Sequence, residues 1–195
     1  MTQKEILSLF EKSKALLTGH FQLTSGLHSP NYFQCAKVLQ YPEYAAALCG
    51  EIVEHFRATQ IDVVIAPALG GIVVGQEVGR RRNVRTMFTE RKDGIMQLRR
   101  GFEITKGEHV LVCEDVVTTG GSVREVIDII NTLGGTVAGV GVIVDRSNGT
   151  VELPDFYATM TMNVVTYKPE ACPLCRKNIP LEKPGSRQST QKTIA

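Results

Sequence analysis

The sequence has no long apolar run and no strong excess of charge of either sign. None of its apolar stretches approaches the ~18 residues that a membrane-spanning helix needs. The N-terminal stretch MTQKEILSLFEKSK contains lysines and acids where a secretory signal would be apolar. The formal net charge is only +2, so bulk charge gives no support for nucleic-acid binding. We therefore expect neither a membrane nor a nucleic acid as a partner.

The cysteines do not form a disulfide framework. Their number is five, and an odd number suits a reducing compartment, so we expect a cytoplasmic protein. Cys172 and Cys175 form one C-x-x-C pair without a second pair at zinc-site spacing. This pair is half of a zinc site shared across a dimer, a redox bridge, or a reduced turn, and the last is favoured. No metal-ligand spacing relates the four histidines, which are His20, His28, His55 and His109.

Short apolar strands alternate with amphipathic helices over most of the chain. Hydrophobic residues are 43% and charged residues 22% of the 195 residues, as in one folded domain. The pattern predicts helices over 3–17, 42–59, 71–82 and 121–133, and strands over 62–67, 84–90, 109–115, 136–146 and 156–165. Residues 18–40 are predicted to form short extended pieces. An α/β fold follows, with a mostly parallel central sheet and helices on both faces.

Residues 91–101, RKDGIMQLRRG, interrupt this alternation. The segment is rich in basic residues and too polar for a core. It predicts either a mobile loop or an exposed hairpin near the carboxyl edge of the sheet, where ligands bind in such folds.

The stretch HVLVCEDVVTTGGSVREVIDII, residues 109–130, contains the most informative pattern. A strand meets two acids, Glu114 and Asp115, and then a Thr/Gly turn and a helix. The amide groups of such a turn and the helix N-terminus bind anions, although neither a Walker loop nor G-x-G-x-x-G is present. Ionised carboxylates accept hydrogen bonds from sugar hydroxyls. A ribose 5-phosphate satisfies both halves, with its phosphate on 118–122 and its hydroxyls on the acids.

VLVCEDVVTTGGS resembles the phosphoribosyl pyrophosphate (PRPP) signature of type I phosphoribosyltransferases. Four further stretches resemble orotate phosphoribosyltransferases in particular. They are GHFQLTSGLHSPNYF, APALGGIVVGQEVGR, VDRSNG and CPLCRKNIPLEKPGSR. The resemblance implies the type I phosphoribosyltransferase fold as a single domain over residues 1–195. Its core would span about 42–165, and a small hood would come from about 18–40 and 165–187. It also implies transfer of ribose 5-phosphate from PRPP to orotate N1 in pyrimidine biosynthesis, with Mg²⁺ held mainly through PRPP.

The resemblance assigns roles to particular residues. For PRPP binding these are Glu114, Asp115, Val116, Val117, Thr118, Thr119, Gly120, Gly121, Ser122, Ala68, Leu69, Gly70, Arg91, Arg99 and Arg100. For catalysis they are Arg91, Lys92 and Asp115. For orotate binding they are Thr118, Arg146, Tyr32, Phe33 and Thr24. No side chain is expected to bind the metal directly.

Two positions depart from the pattern of some relatives. Gly70 and Thr24 stand where those relatives have lysines, so we expect the cations of 91–101 to serve pyrophosphate instead. The family loop that 91–101 matches closes over the neighbouring subunit, which implies a homodimer with shared active sites. The loop at 67–71 resembles a pyrophosphate loop, and we expect a cis peptide at Ala68–Leu69.

Three other functions stay open at this point. The 114–122 motif also fits a phosphoribosyltransferase for a purine or uracil, although the planar guanidinium of Arg146 suits the orotate carboxylate. A regulator could sense PRPP without catalysis, but the small net charge and lack of an extra domain oppose this. The third alternative is an α/β domain that neither transfers ribose 5-phosphate nor senses PRPP. Arg146 as a surface arginine and Phe33 as packing are the simpler interpretations of those residues.

Overall fold

The computed structural model describes residues 1–23, 25–163 and 165–184, which divide into two compact units. The larger unit contains Met1–Ala15 and Cys35–Asn163. The smaller unit contains Leu16–Gln34 and residues 165–184. The division after residue 34 differs from the predicted boundary near 40, because Cys35–Leu39 forms a helix that packs on helices of the larger unit. Residues 185–187 of the predicted hood lie outside the described residues.

The elements alternate along the chain much as the sequence predicts. The strands are β1 (Leu16–Gln22), β2 (His28–Phe33), β3 (Val63–Pro67), β4 (Arg85–Lys92), β5 (Ile95–Leu98), β6 (His109–Val117), β7 (Thr136–Asp145) and β8 (Phe156–Thr161). The helices are α1 (Gln3–Lys12), α2 (Cys35–Leu39), α3 (Pro42–His55), α4 (Gly70–Arg82), α5 (Gly121–Thr132) and α6 (Pro173–Arg176). No helix in the described ranges combines the length and the apolar character needed to cross a membrane.

A six-stranded sheet forms the centre of the larger unit, in the order β5–β4–β3–β6–β7–β8. Every neighbouring pair is parallel except β4 and β5. Val63 and Ile65 of β3 belong to the apolar cluster that includes the buried face of α5, whereas Val64 and Ala66 lie against Gly75 of α4. Because side chains alternate across a strand, this central strand is covered on both sides. The predicted fold class is confirmed.

Two helices end earlier than the periodicity predicts. The helix predicted over 3–17 ends at Lys12, and Lys14 has a left-handed φ of 53°, after which the chain enters β1. The helix predicted over 42–59 ends at His55. There the Arg82 guanidinium donates to the carbonyls of Phe56 (3.0 Å) and Thr59 (2.8 Å), which satisfies backbone groups that a longer helix would have paired.

Residues 91–101 contain an exposed hairpin, the second of the two predicted alternatives. β4 and β5 pair antiparallel through Lys92 and Ile95. Asp93 and Gly94 between them have φ values of 54° and 82°, the left-handed torsions of a tight two-residue hairpin turn. The predicted strand over 156–165 is also shorter and ends at Thr161.

The smaller unit is built on the antiparallel pair β1–β2. The C-terminal segment joins both edges of this pair. Tyr167 and His28 exchange two backbone hydrogen bonds of 2.8 Å, and the Glu182 amide donates to the His20 carbonyl at 2.8 Å. A 3₁₀ turn (Pro169–Ala171) and α6 lie between these two attachments.

Candidate active site

The Thr/Gly turn between β6 and α5 forms an anion cradle. Gly120 has a left-handed φ of 75°, which glycine adopts without steric cost and which turns the chain into α5. Within the described chain, no carbonyl or side chain accepts a hydrogen bond from the amide groups of 118–122. Together with Glu114 and Val123, this turn lines a cavity of about 80 Å³. Unpaired amides at a helix N-terminus favour an anion, so a phosphate group suits this turn.

The two predicted acids lie within β6, which continues to Val117. Glu114 is buried, and its Oε1 accepts from the Asp115 amide at 3.0 Å. Asp115 is half-buried, and its Oδ1 accepts from the Val116 amide at 2.9 Å. Burial, and then the neighbouring Asp115 carboxylate, raise the pKa of Glu114 well above its usual value. The free site therefore favours a proton on Glu114, whereas hydroxyl donors from a ligand would favour the ionised form.

Two glycines at the start of α4 pack directly on these acids. A Cβ atom built on Gly70 would overlap the carboxylate of Asp115, and one on Gly71 would lie 2.8 Å from Glu114 Oε1. A side chain at residue 70 would therefore require the Asp115 carboxylate to move, whereas glycine leaves it in place. The positive end of α4 also lies where it stabilises negative charge on the pair. Gly71 was predicted only as part of the pyrophosphate loop at 67–71, because the sequence does not show which side chain packs against a glycine.

The predicted pyrophosphate loop leads into α4. Its Ala68–Leu69 peptide is cis, as predicted. The Ala68 amide donates to the Thr89 carbonyl at 2.8 Å, which fixes the loop to β4. Leu69 is 83% exposed, so the loop presents its backbone at the carboxyl edge of the sheet.

Arg146 follows β7 at the same edge. Its amide donates to the Val117 carbonyl at 2.8 Å, and Val117 pairs in register with Asp145. The Asp145 carboxylate accepts from the Ser147 amide at 2.7 Å and so fixes the turn after β7. The structure thus brings together the backbone of Arg146, the phosphate turn with Thr118, the two acids and Gly70.

The predicted loop cations contact acids of their own chain. Arg91 forms an ion pair of 2.9 Å with Glu125 of α5. Arg99 and Arg100 both contact Glu90, at 3.1 Å and 2.9 Å. Lys92 is exposed on the hairpin. The three arginines therefore contact carboxylates, and Arg91 also donates to the Gly94 carbonyl at 2.9 Å; none of these bonds goes to the turn at 118–122. A role at pyrophosphate stays a prediction for all four cations.

Two of the remaining predicted orotate contacts lie in the smaller unit. Tyr32 and Phe33 end β2, with Tyr32 half-buried and Phe33 buried. Thr24 lies outside the described residues. The contact of these side chains with orotate stays a prediction.

Arg124 adjoins the phosphate turn and was missed from the sequence. Its Nη1 donates to the Thr119 carbonyl at 2.6 Å, and it lies in the first turn of α5. A guanidinium there adds positive charge beside the anion cradle. The available signal was its position two residues after Ser122, on a helix that begins at a phosphate turn.

Comparison with known proteins agrees with this geometry. Residues 37–174 match the family model described as "Phosphoribosyl transferase domain". The orotate phosphoribosyltransferase of Chlorobaculum parvum is 59% identical over 192 residues, which cover 98% of this chain and 100% of that protein. That of Pelotomaculum thermopropionicum is 57% identical over 189 residues, 96% of this chain and 100% of that protein.

Solved structures share the fold at much lower identity. The crystal structure of orotate phosphoribosyltransferase from Aeropyrum pernix superposes with a TM-score of 0.67 at 22% identity, covering 80% of this chain and 93% of that one. Leishmania donovani UMP synthase gives a TM-score of 0.70 at 22% identity, covering 91% of this chain and 39% of that one. With the full-length relatives above, these matches show that the chain belongs to the orotate phosphoribosyltransferase family and has the type I phosphoribosyltransferase fold.

Proposed function

We propose that this protein is an orotate phosphoribosyltransferase that acts in pyrimidine nucleotide biosynthesis. It transfers ribose 5-phosphate from PRPP to N1 of orotate and forms orotidine 5′-monophosphate and pyrophosphate. One observation supports this most strongly. A pair of carboxylates adjoins an unpaired anion cradle in a single strand–turn–helix, in a chain whose full-length relatives carry this enzyme's name.

PRPP uses both halves of that arrangement. Its 5′-phosphate accepts hydrogen bonds from the amides of 118–122 and from the hydroxyls of Thr118, Thr119 and Ser122. Its ribose hydroxyls donate to the carboxylates of Glu114 and Asp115. Arg124 lies close enough to the turn to add a charge-assisted bond to the phosphate.

The chemical step needs stabilisation of charge more than it needs a side-chain nucleophile. The bond between ribose C1 and the pyrophosphate oxygen breaks, and its electron pair leaves with pyrophosphate. Orotate N1 then forms the new bond to C1 from the opposite face, and the N1 proton is lost to solvent. The carboxylates of Glu114 and Asp115 stabilise the positive charge that develops on the ribose ring between these events.

The donor set fits Mg²⁺. Carboxylate oxygens are ligands of the hard type that this ion takes, and two of them adjoin the anion cradle. PRPP oxygens and water would provide most of the ligands of the ion. Glu114 and Asp115 would therefore hold it mainly indirectly, through PRPP. When bound, Mg²⁺ neutralises part of the pyrophosphate charge.

Arg146 selects the acidic base. Its backbone is held beside Val117, next to Thr118, and its planar guanidinium can bind the orotate carboxylate with two parallel hydrogen bonds. Tyr32 and Phe33 offer aromatic faces for the pyrimidine ring, and Thr24 a hydroxyl. A neutral purine offers no carboxylate to this guanidinium and so lacks the contact that favours orotate.

The hairpin cations complete the site of a second subunit. Arg91, Lys92, Arg99 and Arg100 serve the leaving pyrophosphate when the segment 91–101 closes over the neighbouring active site of a homodimer. Such a closure excludes water from the reacting ribose. The reaction takes place in the cytoplasm, since five free cysteines suit a reducing compartment.

The experiment that tests this function follows the loss of orotate absorbance in the presence of PRPP and Mg²⁺, with adenine, hypoxanthine and uracil in parallel. We expect turnover of orotate alone, and none without Mg²⁺. In Arg146→Lys, the KM for orotate should rise roughly tenfold to a hundredfold, since a bidentate charged contact contributes about 1.5–3 kcal/mol.

The other outcomes distinguish the alternatives. Turnover of a different base alone would keep the PRPP site and overturn the role of Arg146. Binding of PRPP without turnover of any base would favour a regulator. Failure to bind PRPP would contradict the assignment of the 114–122 segment.

A further inference from the structure

Four side chains with metal-binding atoms converge in the smaller unit, and none of them is assigned a role in the reaction. They are His20, His28, Cys172 and Cys175, and their ligand atoms all lie within 4.8 Å of one another. His20, His28 and Cys172 are buried, at 2%, 4% and 1% exposure, whereas Cys175 is exposed. Such a cluster is not explained by the transfer reaction.

Four of the distances between these atoms lie near those between the ligands of one tetrahedral ion. His20 Nε2 lies 2.9 Å from His28 Nδ1, 3.6 Å from Cys172 Sγ and 3.7 Å from Cys175 Sγ. Cys175 Sγ lies 3.3 Å from His28 Nδ1. With Zn–N bonds near 2.0 Å and Zn–S bonds near 2.3 Å, tetrahedral geometry separates ligand atoms by about 3.3–3.8 Å. If the distance between the two histidine nitrogens lengthened from 2.9 Å to about 3.3 Å, all four distances would lie in this range.

A backbone carbonyl already orients one of the histidines. His20 Nδ1 lies 2.8 Å from the Ile179 carbonyl, to which only a protonated nitrogen can donate. The neutral ring then has its lone pair on Nε2, the atom that points into the cluster. Histidines that bind metals commonly have their second nitrogen fixed in this way.

The surrounding chain has the architecture of a structural metal site. His20 and His28 lie on β1 and β2, while Cys172 and Cys175 frame the turn that begins α6. Few apolar side chains of this unit are buried, and in its described part these are Phe21, Phe33 and Cys172. Units with so small a core are commonly stabilised by a metal or by disulfides.

We propose that His20 Nε2, His28 Nδ1, Cys172 Sγ and Cys175 Sγ bind one Zn²⁺ ion within a single chain. Two imidazoles and two thiolates in tetrahedral arrangement favour zinc over magnesium or calcium. Four protein ligands leave no open position, so the ion is structural and takes no part in the transfer reaction. It fastens the C-terminal segment to the β1–β2 pair.

Little in the sequence indicates this site. One C-x-x-C pair provides only two zinc ligands, and the zinc alternative predicted from the sequence takes the other two from a second chain. The histidines lie eight residues apart and about 150 residues before the cysteines. Strand pairing between β1 and β2 brings the histidines together, and no spacing rule for contiguous zinc motifs includes such a separation.

The test begins with the metal content of the full-length protein, purified without chelators and without a polyhistidine tag. Elemental analysis should find about one zinc per chain. Cys175→Ala should lose most of this zinc, while Cys49→Ala, a cysteine of α3 outside the cluster, should retain it. Activity is not needed for this measurement, so its failure would leave the proposed reaction untouched.

A second measurement covers the case in which Cys175→Ala does not fold. The wild-type protein, stripped with a strong chelator, should melt at a lower temperature and recover on addition of Zn²⁺. Substitution with Co²⁺ should give the visible absorption of a tetrahedral thiolate site. A folded wild-type chain that contains no zinc and takes up none would overturn the proposal. A mass two hydrogens lighter, with Cys172 and Cys175 joined, would overturn it in favour of a redox bridge.

Discussion

Glu114 shows how a residue suited to the reaction can oppose the stability of the free protein. It is buried beside Asp115 in β6, and this environment raises its pKa. In the proposed reaction, the same burial would strengthen its hydrogen bonds to ribose hydroxyls and its interaction with developing positive charge. The residue is therefore expected to cost stability until PRPP binds.

Replacement by glutamine should separate the two effects. The folded protein holds a proton on Glu114 more tightly than the unfolded chain does, so unfolding releases that proton at pH values above the ordinary pKa of about 4.5. Wild-type stability should therefore fall, relative to Glu114→Gln, as pH rises from about 4.5 towards the raised pKa, and the difference should persist above it. Thermal melting of both proteins across this range measures the effect.

The same variant should lose activity. Loss of a charged acceptor for a ribose hydroxyl costs about 1.5–3 kcal/mol, or roughly a tenfold to hundredfold fall in kcat/KM for PRPP. Glu11→Gln, on the exposed side of α1, provides the control and should change neither property. A Glu114→Gln protein that is no more stable than wild type at neutral pH would contradict the unfavourable burial of this charge.

Gly70 has a steric role that a conservative substitution can test. A methyl group at this position would overlap the Asp115 carboxylate, so Gly70→Ala should displace Asp115 from the ribose site. We expect a rise of tenfold or more in the Kd for PRPP by isothermal calorimetry, from the loss of about 1.5 kcal/mol or more of charged hydrogen bonding.

Gly50→Ala is the matched control, because Gly50 lies inside α3 and a methyl group there would meet only the movable end of Arg81. It should bind PRPP like wild type. Equal affinity for PRPP in Gly70→Ala and Gly50→Ala would show that a methyl group at residue 70 does not displace Asp115 from the PRPP site.

At the scale of elements, local patterns predicted the parallel sheet and the phosphate turn. Each is encoded in a short contiguous stretch, such as the continuous apolar run of Val110, Leu111 and Val112 before the acids. The ends of elements depended on contacts that no local pattern contains. The carbonyls after α3, for example, are bound by Arg82, which is more than twenty residues away.

The part of the candidate site that is contiguous in sequence could be predicted, whereas contacts between distant segments could not. Residues 114–122 lie in sequence order and were identified together. The steric roles of Gly70 and Gly71 depend on α4 meeting β6, and the partners of the hairpin arginines depend on β4 and β5 folding beside α5. The His–Cys cluster needs three separate chain segments, so spacing alone could not reveal it.

The β4–β5 hairpin provides a prediction at this scale. Arg91 joins the hairpin to α5 through Glu125, but both side chains are more than a third exposed, so the pair contributes at most about 1 kcal/mol to stability. If Arg91 stabilises the leaving pyrophosphate, Arg91→Ala should lower kcat roughly a hundredfold with little change in melting temperature.

Arg57→Ala tests whether loss of any exposed arginine has this effect, since Arg57 pairs with Glu54 and both are largely exposed. It should leave kcat unchanged. A kcat for Arg91→Ala that matches Arg57→Ala would remove Arg91 from the reaction and leave it as a surface ion pair.

At the scale of the whole molecule, the role proposed for the hairpin at a neighbouring site implies two chains for each reaction. If the hairpin serves the partner's site, Arg91→Ala and Arg146→Ala affect different chains of the same active site. A mixed dimer of these two inactive variants then has one intact site. Random exchange of subunits should restore about a quarter of wild-type activity.

The control for this experiment mixes each variant with itself under the same exchange conditions and should restore nothing. A hairpin that serves its own chain's site would leave both sites of the mixed dimer defective. Absence of recovery in dimers shown to have exchanged would therefore contradict the shared site, while leaving the assignment of 114–122 intact.

The most direct test of the central claim is a crystal structure of the protein with PRPP and Mg²⁺. The account predicts the 5′-phosphate within hydrogen-bond distance of the amides of 118–122, and the ribose hydroxyls on the carboxylates of Glu114 and Asp115. A phosphate bound elsewhere, for example on Arg99 and Arg100, with the turn between β6 and α5 free of ligand, would contradict it.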